Sequence, residues 1–265
     1  MIKLNPHRVD RRNNNTPVLY DREIDAYAQA ILADYKPELL DEPGTIDFMH
    51  FLESYLGMRI DFQDIYSDDP ERPILAMTAF KRGKVRVFDR ENECVRKIIV
   101  PARTVIIDNA VMKPGKESLA LFSGMHEGGH ITMHWQVYTG ETFDSESFDS
   151  DYEYDREIGS VVYCRREDIE GKTPARKIRS VKDWREHHAD YFAAAINMPN
   201  ATFIPFVRNI MRKECGFYKD AITLGRDSDL DILASDILPD AISEAYGVSR
   251  RAASIKLQKM NFIYR

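Results

Sequence analysis

The chain has 265 residues, of which 43% are hydrophobic and 30% are charged, and its formal net charge is −6. This composition excludes a fibrous or largely disordered chain, and the net negative charge argues against nonspecific nucleic-acid binding by the whole molecule. Three cysteines without a C-x-x-C pair predict a cytoplasmic protein with no disulfide framework. No run approaches the roughly 18 apolar residues needed to span a membrane, which predicts that the protein has no membrane partner.

The first part of the chain predicts two helices followed by strands. Apolar residues recur at helical spacing over residues 20–35 and again over about 46–56, where Gly57 ends the pattern. The pattern then changes to short β-rich runs separated by turn signals, at residues 58–62, 74–80, 84–88, 95–100 and 104–107. These runs predict a small, mostly antiparallel sheet.

The run from Met125 to His130 reads M-H-E-G-G-H. On a helix, His126 and His130 lie one turn apart on the same face and can bind one ion. Glu127 completes the H-E-x-x-H pattern, in which the histidines bind Zn²⁺ and the glutamate acts as a general base. The alternative is a helix whose histidines are only solvated or hydrogen-bonded, because the pattern is short and its two glycines are poor helix formers.

An acidic stretch over residues 141–157 has no steady apolar period. It predicts a surface loop, with a lid or a calcium site as alternatives, although the spacing of a calcium-binding loop is missing. Residues 161–165 are predicted to form a short strand. An edge strand of the small sheet over residues 58–107, if it lies beside the histidine helix, would allow an extended peptide to align by main-chain hydrogen bonds.

A hydrolytic zinc site needs a third protein ligand, and residues 184–199 supply candidates on a predicted helix that ends before Pro199. Glu186 and Asp190 share one face of it, so that one carboxylate can bind the metal while the other accepts the N–H of a ligating histidine. His134, one turn beyond His130, is an alternative ligand or a supporting residue outside the ligand set. His188 is interpreted as lying outside the site.

Together the two segments resemble the ImmA/IrrE-type metallopeptidases, which pair H-E-x-G-H-x-x-x-H with a later helix reading E-x-x-A-(N/D)-x-F-A and ending in Met-Pro. The residues in register are His126, Glu127, Gly129, His130, His134, Glu186, Ala189, Asp190, Phe192, Ala193, Met198 and Pro199. The resemblance is sharpest over residues 104–200. It departs from the family at Ile196-Asn197, where an apolar pair is usual, and at Gly128, where a larger apolar residue is common.

The resemblance implies an α+β fold with a zincin-like metallopeptidase domain over residues 1–200. It implies that His126, His130 and Glu186 are zinc ligands and that Glu127 is the catalytic base. It also implies a substrate class, a cytoplasmic regulatory protein such as a helix-turn-helix repressor. Asp190 and His134 are then expected to support the ligands from outside the metal's own coordination.

Residues 201–265 predict a helical region, with helices over 201–211 and 230–246. A helix, a Gly-Val-Ser turn and a second helix capped by Ser249 form a helix-turn-helix-like unit at about 238–260. Arg250 and Arg251 make the second helix basic, so DNA contact is an alternative to packing or substrate docking.

The main hypothesis from the sequence is a zinc-dependent endopeptidase acting by metal-activated water with Glu127 as base. One alternative is a DNA-binding transcriptional regulator with a structural or vestigial zinc site, and another is a zinc hydrolase of small amides. The residue that stabilises the oxyanion and the choice between zinc and another divalent ion stay open.

Overall fold

The structure, a computed structural model, describes residues 2–264 except 14, 72, 141–160, 166–179, 216–219 and 227. The α-helices are α1 Asp21–Tyr35, α2 Phe48–His50, α3 Glu117–Thr139, α4 Val181–Asn197, α5 Asn200–Cys215, α6 Leu238–Tyr246 and α7 Arg250–Lys259. Short 3₁₀ turns cover Arg11–Asn13, Pro37–Leu40, Asn109–Met112 and Ser228–Leu230, and π-helical turns cover Phe51–Tyr55 and Leu233–Ile237. Within the described ranges, no helix is both long and apolar enough to span a membrane.

The strands are β1 Val9–Asp10, β2 Thr16–Pro17, β3 Arg59–Gln63, β4 Ile74–Ala79, β5 Gly83–Asp89, β6 Cys94–Val100, β7 Thr104–Asp108, β8 Val161–Arg165, β9 Ile222–Thr223 and β10 Ile263–Tyr264. Strands β3, β7, β4 and β8 form one sheet in that order. The β3–β7 pair is parallel, whereas β7–β4 and β4–β8 are antiparallel. The mixed α+β class predicted from the sequence is confirmed.

The five predicted strands before α3 do not all join one sheet. Strands β5 and β6 pair with each other as an antiparallel hairpin, and β5 has one further bridge, between Val87 and Ile65. A second hydrophobic cluster explains this arrangement, because Val85 and Val87 of the hairpin pack with Met77 and Ile106 of the sheet. The hairpin therefore covers a face of the sheet instead of extending its edge.

The opposite face of the sheet carries the helices. Strand alternation turns Val105 and Ile107 into the main core with α1 and α3, while Ile106 between them faces the hairpin. Thr78 likewise lies between Met77 and Ala79, which face the hairpin, and its hydroxyl reaches α3. Strand β4, which meets α3 in this way, is paired on both sides, and in the described part of the chain the sheet edge next to it is β8.

Helix α3 is buried on nearly every side between Ser123 and Trp135. Its glycines lie where other helices approach closely. A Cβ atom at Gly129 would lie 3.0 Å from the Cα of Ala189 on α4, and one at Gly124 would lie 2.2 Å from the ring of Phe48 on α2. Glycine lowers the helix propensity at these positions, but only a residue without a Cβ atom lets the neighbouring helices pack this closely.

The helix-turn-helix-like unit is present in α6 and α7. Gly247 ends α6 at a φ of +68°, and the Ser249 hydroxyl accepts a hydrogen bond from the backbone N–H of Ala252 at the start of α7. Tyr246 and Leu257 belong to the same buried cluster as α1 and α3. The two predicted regions therefore share one core, and a domain division at residue 200 stays a prediction.

Three basic residues of α7 contact the rest of the protein. Arg250 forms ion pairs with Asp236 at 2.7 Å and with Asp240 at 2.6 Å. The Lys256 side chain is only 8% exposed, and the Nζ of Lys259 lies 4.9 Å from the centre of the Tyr191 ring. These contacts favour packing over DNA contact for this helix.

Lys256 gives a test of this packing. Burial lowers the pKa of its amine from 10.5 to about 8, so the folded state favours the neutral form. The stability contribution of this residue is therefore largest above pH 10.5 and falls as the pH decreases to 8. At pH 7 we expect Lys256→Met to be up to about 3 kcal/mol more stable than the wild type, at about 1.4 kcal/mol for each pH unit between the two pKa values.

Urea unfolding at pH 7 and pH 10 measures this difference, which should shrink at the higher pH. Lys259→Met is the matched control, since that side chain is on the same helix but exposed. An equal gain at both pH values would show that Lys256 is not held in a desolvated position.

Candidate metal centre

Three buried side chains from two helices converge on one point. Nε2 of His126 and Nε2 of His130, both on α3, are 3.1 Å apart. Oε2 of Glu186 on α4 lies 3.5 Å from the first and 3.7 Å from the second. The exposed fractions of the three residues are 0%, 0% and 2%. This group can hold a metal ion.

The hydrogen bonds behind the ligand atoms support this assignment. Oδ1 of Asp190 lies 2.8 Å from Nδ1 of His126. Because a carboxylate only accepts, the hydrogen of a neutral His126 is on Nδ1, and its Nε2 offers a lone pair to the converging group. Oε2 of Glu186 is buried and has no hydrogen-bond partner in the part of the chain that the structure describes. Lone pairs that face each other in this way repel unless a cation lies between them.

The spacing of the ligand atoms is also suitable. In a tetrahedral site with bonds of about 2.0–2.1 Å, neighbouring ligand atoms are about 3.3–3.4 Å apart. The observed separations of 3.1, 3.5 and 3.7 Å surround this value. Two imidazoles and a carboxylate are a donor set that fits zinc, although this set also binds other divalent ions.

The charges of the group act on one another. Burial lowers the pKa of His126, but the nearby carboxylates of Asp190 and Glu186 outweigh burial and raise that pKa well above its usual range. Burial raises the pKa of Glu186, yet the imidazoles of His126 and His130 hold it well below its usual range. The carboxylates therefore favour a positive charge at the point where the ligand atoms converge, and a bound cation would supply it.

Glu127 lies beside this group and is completely buried. Its Oε2 accepts a hydrogen bond from the hydroxyl of Thr78, while its Oε1 has no hydrogen-bond partner within the described ranges. Burial raises the pKa of this carboxyl to about 7, the range in which a general base works best near neutral pH. Thr78 was missed in the sequence, where the only signal is one hydroxyl in an otherwise apolar strand.

Two further histidines, His134 and His188, form a series of ring contacts that begins at His130. Nδ1 of His134 lies 3.1 Å from Nδ1 of His130, and its Nε2 lies 3.3 Å from Nδ1 of His188. Burial lowers the pKa of His134 well below its usual range and lowers the pKa of His188 to about 4. The interpretation of His188 as lying outside the site overlooked this contact, because helical spacing within α4 does not show what α3 brings against it.

Two polar side chains border the group and are candidates for the oxyanion stabiliser that the sequence left open. The ring of Tyr138 is edge-on to His130 with centroids 6.3 Å apart, and the guanidinium of Arg185 lies 5.1 Å from the centre of the Tyr138 ring. Nε of Arg185 is buried, and no described residue forms a hydrogen bond with it.

The structure brings together all six residues singled out in the sequence: His126, Glu127, His130, His134, Glu186 and Asp190. Comparisons with protein-family models, with curated proteins and with solved structures find no match for this chain. The functional interpretation therefore depends on the chemistry and geometry of these side chains.

Proposed function

We propose that the chain is a zinc-dependent endopeptidase with a zincin-like core, of the ImmA/IrrE type, that cleaves a peptide bond in a cytoplasmic regulatory protein such as a helix-turn-helix repressor. One observation carries the proposal. A buried group of two histidines and a glutamate lies next to a carboxylate whose Oε1 has no hydrogen-bond partner among the described residues. This combination supplies both parts of a hydrolytic site, a cation site and a general base.

The reaction needs a Lewis acid and a base. When bound, zinc supplies the Lewis acid, which lowers the pKa of water towards about 7 and polarises a carbonyl. Glu127 takes the proton of the attacking water and returns it to the leaving amine. The Thr78 hydroxyl occupies Oε2 of Glu127, so that the partner-free Oε1 is the atom that handles the proton.

The remaining residues position the ligands. Asp190 accepts the Nδ1 hydrogen of His126 and holds that imidazole with its Nε2 towards Glu186 and His130. His134 contacts Nδ1 of His130 in the same way from the other side. Outer partners of this kind fix the tautomer and the orientation of a ligating histidine.

A peptide is a more suitable substrate than a small amide because the sheet next to α3 has an edge strand with which a peptide can pair. Strand β8 pairs with β4 on one side and is the last strand of its sheet among the described residues. An extended peptide can add to such an edge by main-chain hydrogen bonds.

The proposal is tested with a peptide library derived from a proteome. The protein is freed of metal, reloaded with zinc and incubated with the library, and new amino termini are identified by mass spectrometry. We expect cleavage at a restricted set of sites, loss of cleavage with a chelator and recovery with zinc. Cleavage that is insensitive to the chelator, or no cleavage by the zinc-loaded protein, would contradict the proposal, and hydrolysis of short amides alone would favour the small-amide alternative.

A further inference from the structure

Two histidines that are not in the ligand group are buried next to it. His134 is 0% exposed and His188 is 1% exposed. Charged imidazoles are costly at such depth, so each ring is taken as neutral, with one nitrogen that donates and one that accepts. The three rings of His130, His134 and His188 are joined in series by nitrogen contacts of 3.1 and 3.3 Å.

The series has only two possible directions, because each contact needs one donor and one acceptor. In one direction Nδ1 of His130 donates to His134, and Nε2 of His134 donates to His188. In the other direction every hydrogen moves to the opposite nitrogen, and His130 carries its hydrogen on Nε2. Only the first direction leaves the His130 Nε2 lone pair free to bind a metal ion.

The far end of the series does not distinguish the two directions. Nε2 of His188 is buried and has no hydrogen-bond partner among the described residues. The first direction makes this atom a donor and the second makes it an acceptor, and it is unpaired in both. The choice between the directions is therefore made at His130, where only the first direction leaves Nε2 able to bind a metal ion.

We propose that His188 is a positioning residue of the metal centre, which acts through His134 to hold His130 in the tautomer whose Nε2 binds the metal. The inference rests on the metal site of the proposed function, but it does not depend on peptide hydrolysis. His188 thus supports the metal site without being one of its ligands. His134 transmits the effect because it touches both other rings.

Removal of the acceptor at position 188 leaves His134 two poor choices. If His134 keeps its hydrogen on Nε2, that donor is buried without a partner. If the hydrogen moves to Nδ1, it faces the hydrogen on Nδ1 of His130, and the metal-binding tautomer of His130 is opposed. Both choices weaken zinc binding.

Three variants separate positioning from packing. His188→Leu keeps the bulk and removes the acceptor. His188→Asn keeps an acceptor oxygen near the position of Nδ1. His187→Ala is the matched control, because His187 is the adjacent residue on α4 but is paired with Asp21 at the surface.

Zinc affinity is measured by competition with a chromogenic chelator, together with the thermal unfolding of each metal-free variant. We expect His188→Leu to bind zinc about tenfold more weakly, within the range for outer partners of metal ligands. We expect His188→Asn to recover most of the loss and His187→Ala to match the wild type. Wild-type affinity in His188→Leu, or an equal loss in His188→Asn, would overturn the proposal.

Nitrogen-15 NMR of the imidazoles supplies a second readout that does not depend on affinity. In the zinc-loaded wild type, Nδ1 of His134 should have the shift of an unprotonated nitrogen and Nε2 that of a protonated one. A hydrogen on Nδ1 of His134 would overturn the inference even if His188→Leu binds zinc weakly. Lack of zinc binding by the wild type would overturn both this inference and the proposed function, whereas the expected tautomers without peptide cleavage would contradict the function alone.

Discussion

Replacement of Glu186 by glutamine is expected to reduce bound zinc from about one ion per chain to nearly none. Glutamine keeps the size of the side chain but removes the only negative charge in the ligand group. Structural zinc sites release about 10–16 kcal/mol over four ligands, so one ligand is worth roughly 3 kcal/mol or more, a loss of about a hundredfold to a thousandfold in affinity.

Elemental mass spectrometry of protein purified without added metal measures this loss, and a chelator competition gives the affinity. Glu214→Gln is a suitable control, because it makes the same change of charge at an exposed position on α5. A Glu186→Gln protein that retains one zinc ion per chain would remove Glu186 from the ligand set. Comparison with Asp190→Asn, for which about a tenfold to hundredfold loss is expected, separates a ligand from its outer partner.

The second large effect is expected for Glu127→Gln, which should retain zinc and lose hydrolysis. Glutamine has the same shape and can still accept the hydrogen bond from Thr78. It cannot take a proton from water, so the rate should fall by about 10²–10⁴-fold or more. The rate is measured on the best peptide from the library, and the zinc content is measured on the same sample.

The metal-free form of this variant supplies an independent check. Burial raises the pKa of Glu127 to about 7, above the usual 4.5, so the folded state favours the protonated acid. Its contribution to stability is complete below pH 4.5 and is lost as the pH rises through 7. We therefore expect Glu127→Gln to unfold at a higher temperature than the metal-free wild type at pH 8, and the two to converge near pH 4.5. An unchanged rate of hydrolysis in Glu127→Gln would remove the proposed base whatever the thermal data show.

Local spacing was sufficient for the elements that carry the site. The i, i+4 spacing places His126 and His130 on one face of α3, and the same spacing pairs Glu186 with Asp190 on α4. The apolar period over residues 20–35 corresponds to α1, and the strands of the sheet lie within a few residues of their predicted positions. These features depend on neighbours in the chain, which is why the amino-acid pattern contains them.

Contacts between different helices and strands could not be predicted from the sequence in this way. The contact of Thr78 with Glu127 and that of His134 with His188 join residues 49 and 54 positions apart in the chain. No periodicity within one helix or strand encodes such a pair. The separate hairpin of β5 and β6 shows the same limit, because two strands that read like sheet members pack on the face of the sheet through side chains.

The glycines of α3 affect both the helix itself and its packing against α4. In the sequence, Gly128 and Gly129 are only unfavourable helix residues that weaken the prediction of a metal-binding helix. In the structure, Gly129 lets α4 approach within van der Waals contact at Ala189, and this approach brings Glu186 to the two histidines. The sequence by itself determined which side chains could bind a metal ion and on which helix face they lie. Only the packing of α3 against α4 decided that their lone pairs meet, because the distance between two helices depends on the side chains of both.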